Sequence, residues 1–402
     1  MQKYDVVIVG AGPAGGQCAR DLVKQNKKVL LIEKAHSFQD NNYSSGGGPI
    51  EMMSEFTLPD SIVGTYWNTF RINSTKEKAI WHSPTPFGPV IDFDKLREFL
   101  VGETVSHGGE FKLACQYQSH TASNNGIELH YKNLDTQEIF EVSTKVLVDA
   151  TGSDRRVMVK DTYDKNHAIA MTGIEYHVNV QPSVYEKFSK SLNFYLGHKW
   201  MPQGYAWIFP MAPNVLKVGV IRYFQNKHLV PYDPSYQHYI DKLLELCGPI
   251  TTDQIIDKHG KTIYYTIGQK DKRVEGSVIA IGDAISTVNP LGCEGLRHAL
   301  LSGREAARSI NLFLDKKSDN LNSYNQAMQI YFGKKWFFSE LMMKSLFTTT
   351  NDSMIDRSVK YFSVMNNKEI MDVVFHYRFS HTIKAYFWYY FSLLKGWLIS
   401  KT

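Results

Sequence analysis

Gly10, Gly12 and Gly15 stand in the run Gly10-Ala11-Gly12-Pro13-Ala14-Gly15, a spacing that suits one kind of chemistry, the holding of a pyrophosphate. The first glycine allows a tight turn, the second lets backbone approach the phosphates, and the third lets a helix pack close on a strand. A helix starting there turns its N-terminal N–H groups and its dipole toward the anion. Glu33 ends the next apolar run, where its carboxylate can accept both hydroxyls of a ribose. Together these residues predict a dinucleotide site. A second set, Gly282, Asp283, Pro290, Gly292 and Gly295, lies far along the chain. A third is the segment Pro202-Gln203-Gly204-Tyr205-Ala206-Trp207-Ile208-Phe209-Pro210. Its rings, Tyr205, Trp207 and Phe209, recur with a period of two and so share one face of a strand. That face is either a wall for a long apolar molecule or the inner side of an ordinary core strand.

The elements that must position these residues are legible in outline. Tyr4 to Val9 and Val29 to Ile32 read as buried parallel strands around a helix at about 14–25, a βαβ unit. Residues 41–49 are a loop of turn formers. A helix is expected from about Asp94 to His107, stopped by Gly108-Gly109. Alternating strands follow over 110–142, and Val146 to Ala150 returns to the buried type before Thr151-Gly152. Residues 168–270 read as a second, β-rich layer with a helix inserted at 234–247. Val278 to Ile281 is a buried strand that ends at Gly282-Asp283, and a helix runs from about Gly295 to Leu314. The segment beyond is helical and rich in rings.

Composition narrows the class. The 402 residues are enough for a sizeable core, and a net charge of +5 is too small to argue for nucleic acid. Cys18, Cys115, Cys247 and Cys293 form no C-x-x-C pair and no metal-ligand spacing, so a reducing compartment and no metal are expected. The chain enters a strand directly, which argues against a secretory signal, and it has no uninterrupted apolar run of about eighteen residues that would span a membrane.

The aromatic segment resembles the P-x-x-Y-x-W-x-F-P element of the geranylgeranyl reductase family. Residues 277–303 resemble the second fingerprint of the larger group to which that family belongs, the p-hydroxybenzoate-hydroxylase-like flavoproteins. The resemblance covers about the first 310 residues. It implies FAD as the dinucleotide, with Asp283 on its ribityl or ribose hydroxyls and a helix end brought to the flavin ring by Pro290, Gly292 and Gly295. The cofactor-binding set it implies is Gly10, Gly12, Ala14, Gly15, Glu33, Lys34, Ser45, Gly47, Arg97, Gly152, Gly282, Asp283, Pro290, Gly292, Gly295 and Leu296. Arg97 stands four residues from the usual arginine position of that group, here Phe93. It either serves the phosphates or is a solvated helix arginine. The fold class implied is α/β: a Rossmann-like FAD-binding domain (1–50, 92–165 and 275–310), an inserted β-rich substrate domain (51–91 and 166–274), and a C-terminal helical region (311–402).

Geranylgeranyl reductases saturate isoprenoid double bonds with reduced flavin. By this resemblance Tyr205, Trp207, Phe209 and Pro210 bind an isoprenoid substrate, and NADPH or a ferredoxin supplies electrons. Many archaeal members carry a cysteine in the loop after the second strand; here Ser44-Ser45-Gly46-Gly47-Gly48 occupies it. Cys293 and Glu294 remain as candidate catalytic residues. Monooxygenases, halogenases and carotenoid cyclases of the same fold are the rival readings. Residues 385–399, punctuated by Lys384, Lys395 and Lys401, and the stretch from Trp336 to Phe347 suit a headgroup interface or a helical layer on the substrate domain. The expected location is cytoplasmic, either free or peripheral to the inner face of a membrane.

Overall fold

Tyr4, Val6, Val7, Ile8 and Val9 are all buried, and the strand they form, Gln2–Val9, is covered on both sides. That is the setting of a parallel strand under helices. In this computed structural model, residues 1–41, 44–123, 126–158, 168–224, 234–347 and 351–382 are described. The C-terminal aromatic run at 385–399 lies outside them. Two compact units are present: Met1–Ser44, Phe93–Ile169 and Ile263–Lys334 form one, and Ser45–Asp92, Ala170–Thr262 and Lys335–Thr402 the other.

In the first unit Gln2–Val9 pairs in parallel with Val29–Ile32 on one side and Ile139–Asp149 on the other. Glu110–Lys112 and Val278–Ala280 extend the parallel sheet outward. Gly126–Asn133 and Cys115–Ser123 form an antiparallel ribbon on the first half of Ile139–Asp149. The helix Pro13–Val23 packs closely because glycine stands at its contacts, on its own face or on its neighbour's. A Cβ on Gly303 of the helix Leu296–Leu314 would collide with the Ala14 carbonyl, and one on Gly16 would press on Leu100 of the helix Phe93–Ser106.

In the second unit seven strands run in the order Ile255–Thr266, Ala168–Asn179, Val215–Phe224, Gly204–Ala212, Ser191–Leu196, Thr69–Asn73, Lys78–His82. One face buries Ala206, Ile208, Val218 and Val220 against Tyr239, Ile240 and Leu243 of the helix Tyr236–Leu244. The opposite face carries the alternate residues of the same strands. A short helix, Pro182–Phe188, stands where the pattern reads as β-rich; Pro182 at its first position sets a helical φ and lacks only an N–H that would be unbonded there. The helices Asp352–Ser363 and Asn367–Val374 close the described C-terminal part, each capped by an asparagine side chain, Asn351 and Asn366. Among the described residues no helix is long and apolar enough to cross a membrane.

Candidate functional site

The glycine loop of the first unit is built as the spacing predicts. Gly10 has φ +107 and no room for a side chain beside the Ala150 carbonyl, and a Cβ on Gly15 would strike the Gly10 carbonyl. Gly12 differs: a Cβ there meets nothing within 4 Å. The open space over Gly12 lies at the N-terminus of Pro13–Val23, where N–H groups have no helical partner. Glu33 is buried; its Oε2 accepts the Ala11 N–H at 2.8 Å and its Oε1 the Ala35 N–H at 3.1 Å. Each oxygen keeps a lone pair for a ribose hydroxyl.

Opposite the loop, Gly282 packs on Ala14 with φ +64. Asp283 is half-buried and accepts from the Thr287 hydroxyl at 3.1 Å. The segment from Pro290 to Gly295 is closed by Asn289, whose backbone N–H donates to the Glu294 carbonyl and whose carbonyl accepts from Cys293, both at 2.9 Å. Cys293, half-buried, takes φ +51 in this turn. Nothing lies within 4 Å of a Cβ on Gly292. Gly295 caps the helix that begins at Leu296.

Glu294 points into a network of charges. Arg297 donates to both its oxygens, at 2.8 and 3.0 Å, His298 Nε2 lies 3.2 Å from Oε2, and the other ring nitrogen of His298 meets the Tyr331 hydroxyl at 2.7 Å. Burial alone would raise the Glu294 pKa, but Arg297 and His298 hold it well below the usual carboxylate range.

Arg97 is not a solvated helix arginine. It is 3% exposed, its guanidinium lies over the Phe93 and Phe38 rings, and it donates to the Phe38 carbonyl and to Asp94. Lys34 is exposed and pairs with Asp154 at 3.1 Å, next to Gly152. Sequence reasoning passed over Asp149 and Arg155. Asp149 Oδ1 accepts from Thr151, and its Oδ2 from the Val157 and Met158 N–H groups. Arg155, 2% exposed, donates to the Ala284 and Tyr264 carbonyls, to Ser286 and to Asp271. It thereby ties the loop after Gly152 to the loop after Asp283.

The ring-bearing strand Gly204–Ala212 belongs to the second unit. Tyr205, Trp207 and Phe209 share one face of Gly204–Ala212, at 6%, 7% and 3% exposure. Phe194 of the neighbouring strand lies 5.5 Å from the Tyr205 ring and 5.1 Å from Phe209, and Phe347 lies 5.9 Å from Tyr205. Pro210 alternates to the other face, just before a register shift. Gly47 is in this unit: its Cβ position is 3.1 Å from Leu192 and 3.4 Å from Phe209. Ser45 precedes it, half-buried, in the same unit.

This ring face also carries buried charge, assembled from three strands that are far apart in the sequence. Glu175 and His177 on Ala168–Asn179, Lys217 on Val215–Phe224 and His259 on Ile255–Thr266 are brought together. His177 Nε2 and His259 Nε2 lie 3.2 and 3.4 Å from Glu175 Oε1, and His259 Nδ1 lies 2.8 Å from Asp257. Glu175 Oε2 accepts the Trp207 indole N–H at 2.7 Å. Burial would raise the Glu175 pKa; Lys217, His177 and His259 hold it well below the ordinary value. Glu175, His177 and His259 offer ligand atoms within 4.8 Å of one another, a cation-binding spacing among the described residues. The wholly buried Lys217 supplies positive charge to Glu175 there.

Residues 3–329 match the family described as FAD binding domain. The digeranylgeranylglycerophospholipid reductase of Haloferax volcanii is 29% identical over 341 residues, covering 81% of each chain. The chloroplastic geranylgeranyl diphosphate reductase of Oryza sativa subsp. japonica is 27% identical over 326 residues, covering 77% of this chain and 66% of its own. A solved geranylgeranyl bacteriochlorophyll reductase-like protein of Thermoplasma acidophilum shares the fold, with a TM-score of 0.79 at 20% identity over 96% of both chains.

Proposed function

Because this chain belongs to the FAD-binding domain family, we propose that it is a reductase that saturates carbon–carbon double bonds of a geranylgeranyl or other isoprenoid chain. The observation that carries the reading is the ring face of Gly204–Ala212: Tyr205, Trp207 and Phe209 in line, continued by Phe194 and Phe347. A line of rings suits a long polyene better than a compact polar substrate. The names of the Haloferax and Oryza relatives support the same substrate class.

The residues present fit FAD. The space over Gly12 is free for a pyrophosphate, the helix N-terminus is free to face it, and Glu33 is fixed by two backbone N–H groups. Asp283, Gly292, Gly295 and Leu296 are assigned in this reading to the flavin half, and Gly152 and Lys34 to the adenosine half. Reduced FAD, regenerated by NADPH or a ferredoxin, supplies the hydride. This chain's residues bind and orient the alkene and keep water from it, since an unactivated double bond reacts only when held close and dry. Glu294, ionised and doubly paired, is not the proton donor in this reading; Cys293 is the candidate that remains. Membrane contact is assigned to the Trp336 to Phe347 stretch, where Phe337, Phe338 and Leu341 are exposed.

The test is anaerobic. Reduced protein is mixed with geranylgeranyl diphosphate and with geranylgeranylated glycerolipids, and flavin reoxidation and product mass are followed. A gain of about two mass units per double bond, with Trp207→Ala slower by roughly 10²-fold and still holding FAD, supports the reading. A product that forms only in air with one added oxygen points to a monooxygenase, and an isomer of unchanged mass to a cyclase.

A further inference from the structure

The Trp207 indole N–H donates to a carboxylate that lies two strands away in the sheet. Across the sheet, Trp207 is paired with Gly219, and Gly219 with Glu175. Because Gly219 has no side chain, the indole lies over it: a Cβ there would collide with Cζ2 and Cε2 of Trp207. The ring therefore spans the width of one strand and reaches Glu175 Oε2 at 2.7 Å. Both partners are buried, at 7% and 4% exposure. A buried indole N–H needs an acceptor, and an ionised one binds more strongly than a neutral one.

The other oxygen of Glu175 is taken by His177 and His259, and Lys217 compensates its charge. His259 is anchored in turn by Asp257. An ionised carboxylate with every neighbour assigned has little freedom to rotate. We propose that Glu175 is a positioning residue for alkene reduction. It fixes the plane of the Trp207 ring, and Lys217 and the two histidines, not a metal ion, hold it there. The inference rests on the reading of Trp207 as substrate wall.

The full chain is labelled with 5-fluorotryptophan, and the Trp207 signal among the 7 tryptophans is assigned by its loss in Trp207→Phe. In Glu175→Leu that resonance should shift and broaden while the other indoles keep theirs. Turnover should fall by about 10- to 100-fold with little change in KM, because orientation and not affinity is lost. Glu175→Gln keeps an oxygen for the indole and should recover most of the turnover. Trp207→Phe leaves the charges intact and should show the same loss, and the double variant with Glu175→Leu no more than either. An unchanged Trp207 resonance in Glu175→Leu, or additive losses in the double variant, would overturn the proposal. So would a Trp207 signal that moves when a chelator strips a bound metal. The fluorine signal reports on the clamp even if the wild-type protein reduces no prenyl compound. Failure of the substrate reading is thus told apart from failure of the clamp.

Discussion

Trp207 and Glu175 sit on strands that do not touch, yet the indole N–H of one reaches a carboxylate oxygen of the other at 2.7 Å. The strand between them permits this only through Gly219. Gly219 is not among the glycines with positive φ, so its backbone would accept any residue. Its smallness serves the ring above it and not a turn.

Gly219→Ala therefore sets a mild backbone gain against a collision with a locked ring. We expect the collision to win, with a loss of about 1–3 kcal/mol, the usual cost of overpacking a core. In a Trp207→Ala background the same change should be neutral or stabilising, because the ring is gone. Urea midpoints of the four proteins decide it: equal costs in both backgrounds would mean that Gly219 is small for another reason.

His259 gives the cluster a pH signature. Burial lowers its pKa, but Glu175 and Asp257 outweigh burial and leave it above 6.5. Lys217 and His177 face the same Glu175 carboxylate from the neighbouring strands. A raised folded-state value means stability that is complete below the unfolded pKa of about 6.5 and is lost as pH climbs through the folded one. His259→Gln should thus lower the urea midpoint most near pH 6 and progressively less toward pH 9. A deficit that grew with pH would show that His259 is held neutral.

The contrast between local and assembled features explains what the sequence could reveal. Gly10, Gly12, Gly15 and Glu33 act within one βαβ unit, so their spacing is itself the geometry. Tyr205, Trp207 and Phe209 lie on one strand and need only a period of two. The clamp draws on residues 175, 177, 217 and 259, each of which reads alone as a polar position on a half-buried strand. Its one local trace is Glu175-x-His177, two side chains on the same face. Arg97 shows the same limit: its helix face was legible, but not that Phe38 and Phe93 would cover it. Pro182, a helix-starting residue, was hidden by the β-rich pattern around it.

Arg155 is another residue that only assembly reveals, and it is a structural one. Its guanidinium is buried and paired with a buried Asp271 at 3.2 Å, and it bonds carbonyls from two further segments. Removing one partner of such a pair leaves an uncompensated charge, a loss of about 3–5 kcal/mol. Arg155→Ala should therefore unfold at markedly lower urea, whereas Arg156→Ala, next in the chain and exposed, should not. Equal midpoints for the two variants would leave Arg155 without the stapling role.

The glycine loop allows binding to be separated from folding. Gly10 and Gly15 are both closed in by backbone, so larger residues there would disturb the fold before any ligand arrives. Gly12 has open space, and its φ of −73 with ψ of −179 is extended backbone that valine accepts readily. Gly12→Val should consequently fold as well as the wild type and fail only where a pyrophosphate must approach. The wild-type protein, stripped of flavin, should gain melting temperature as FAD is added, by mass action on the native state. Gly12→Val should begin at the same melting temperature and show no gain. It should also purify colourless, while heat-denatured wild type releases FAD. A variant that melts lower than the stripped wild type would place Gly12 among the packing glycines. One that still responds to FAD would remove the pyrophosphate from the space over Gly12.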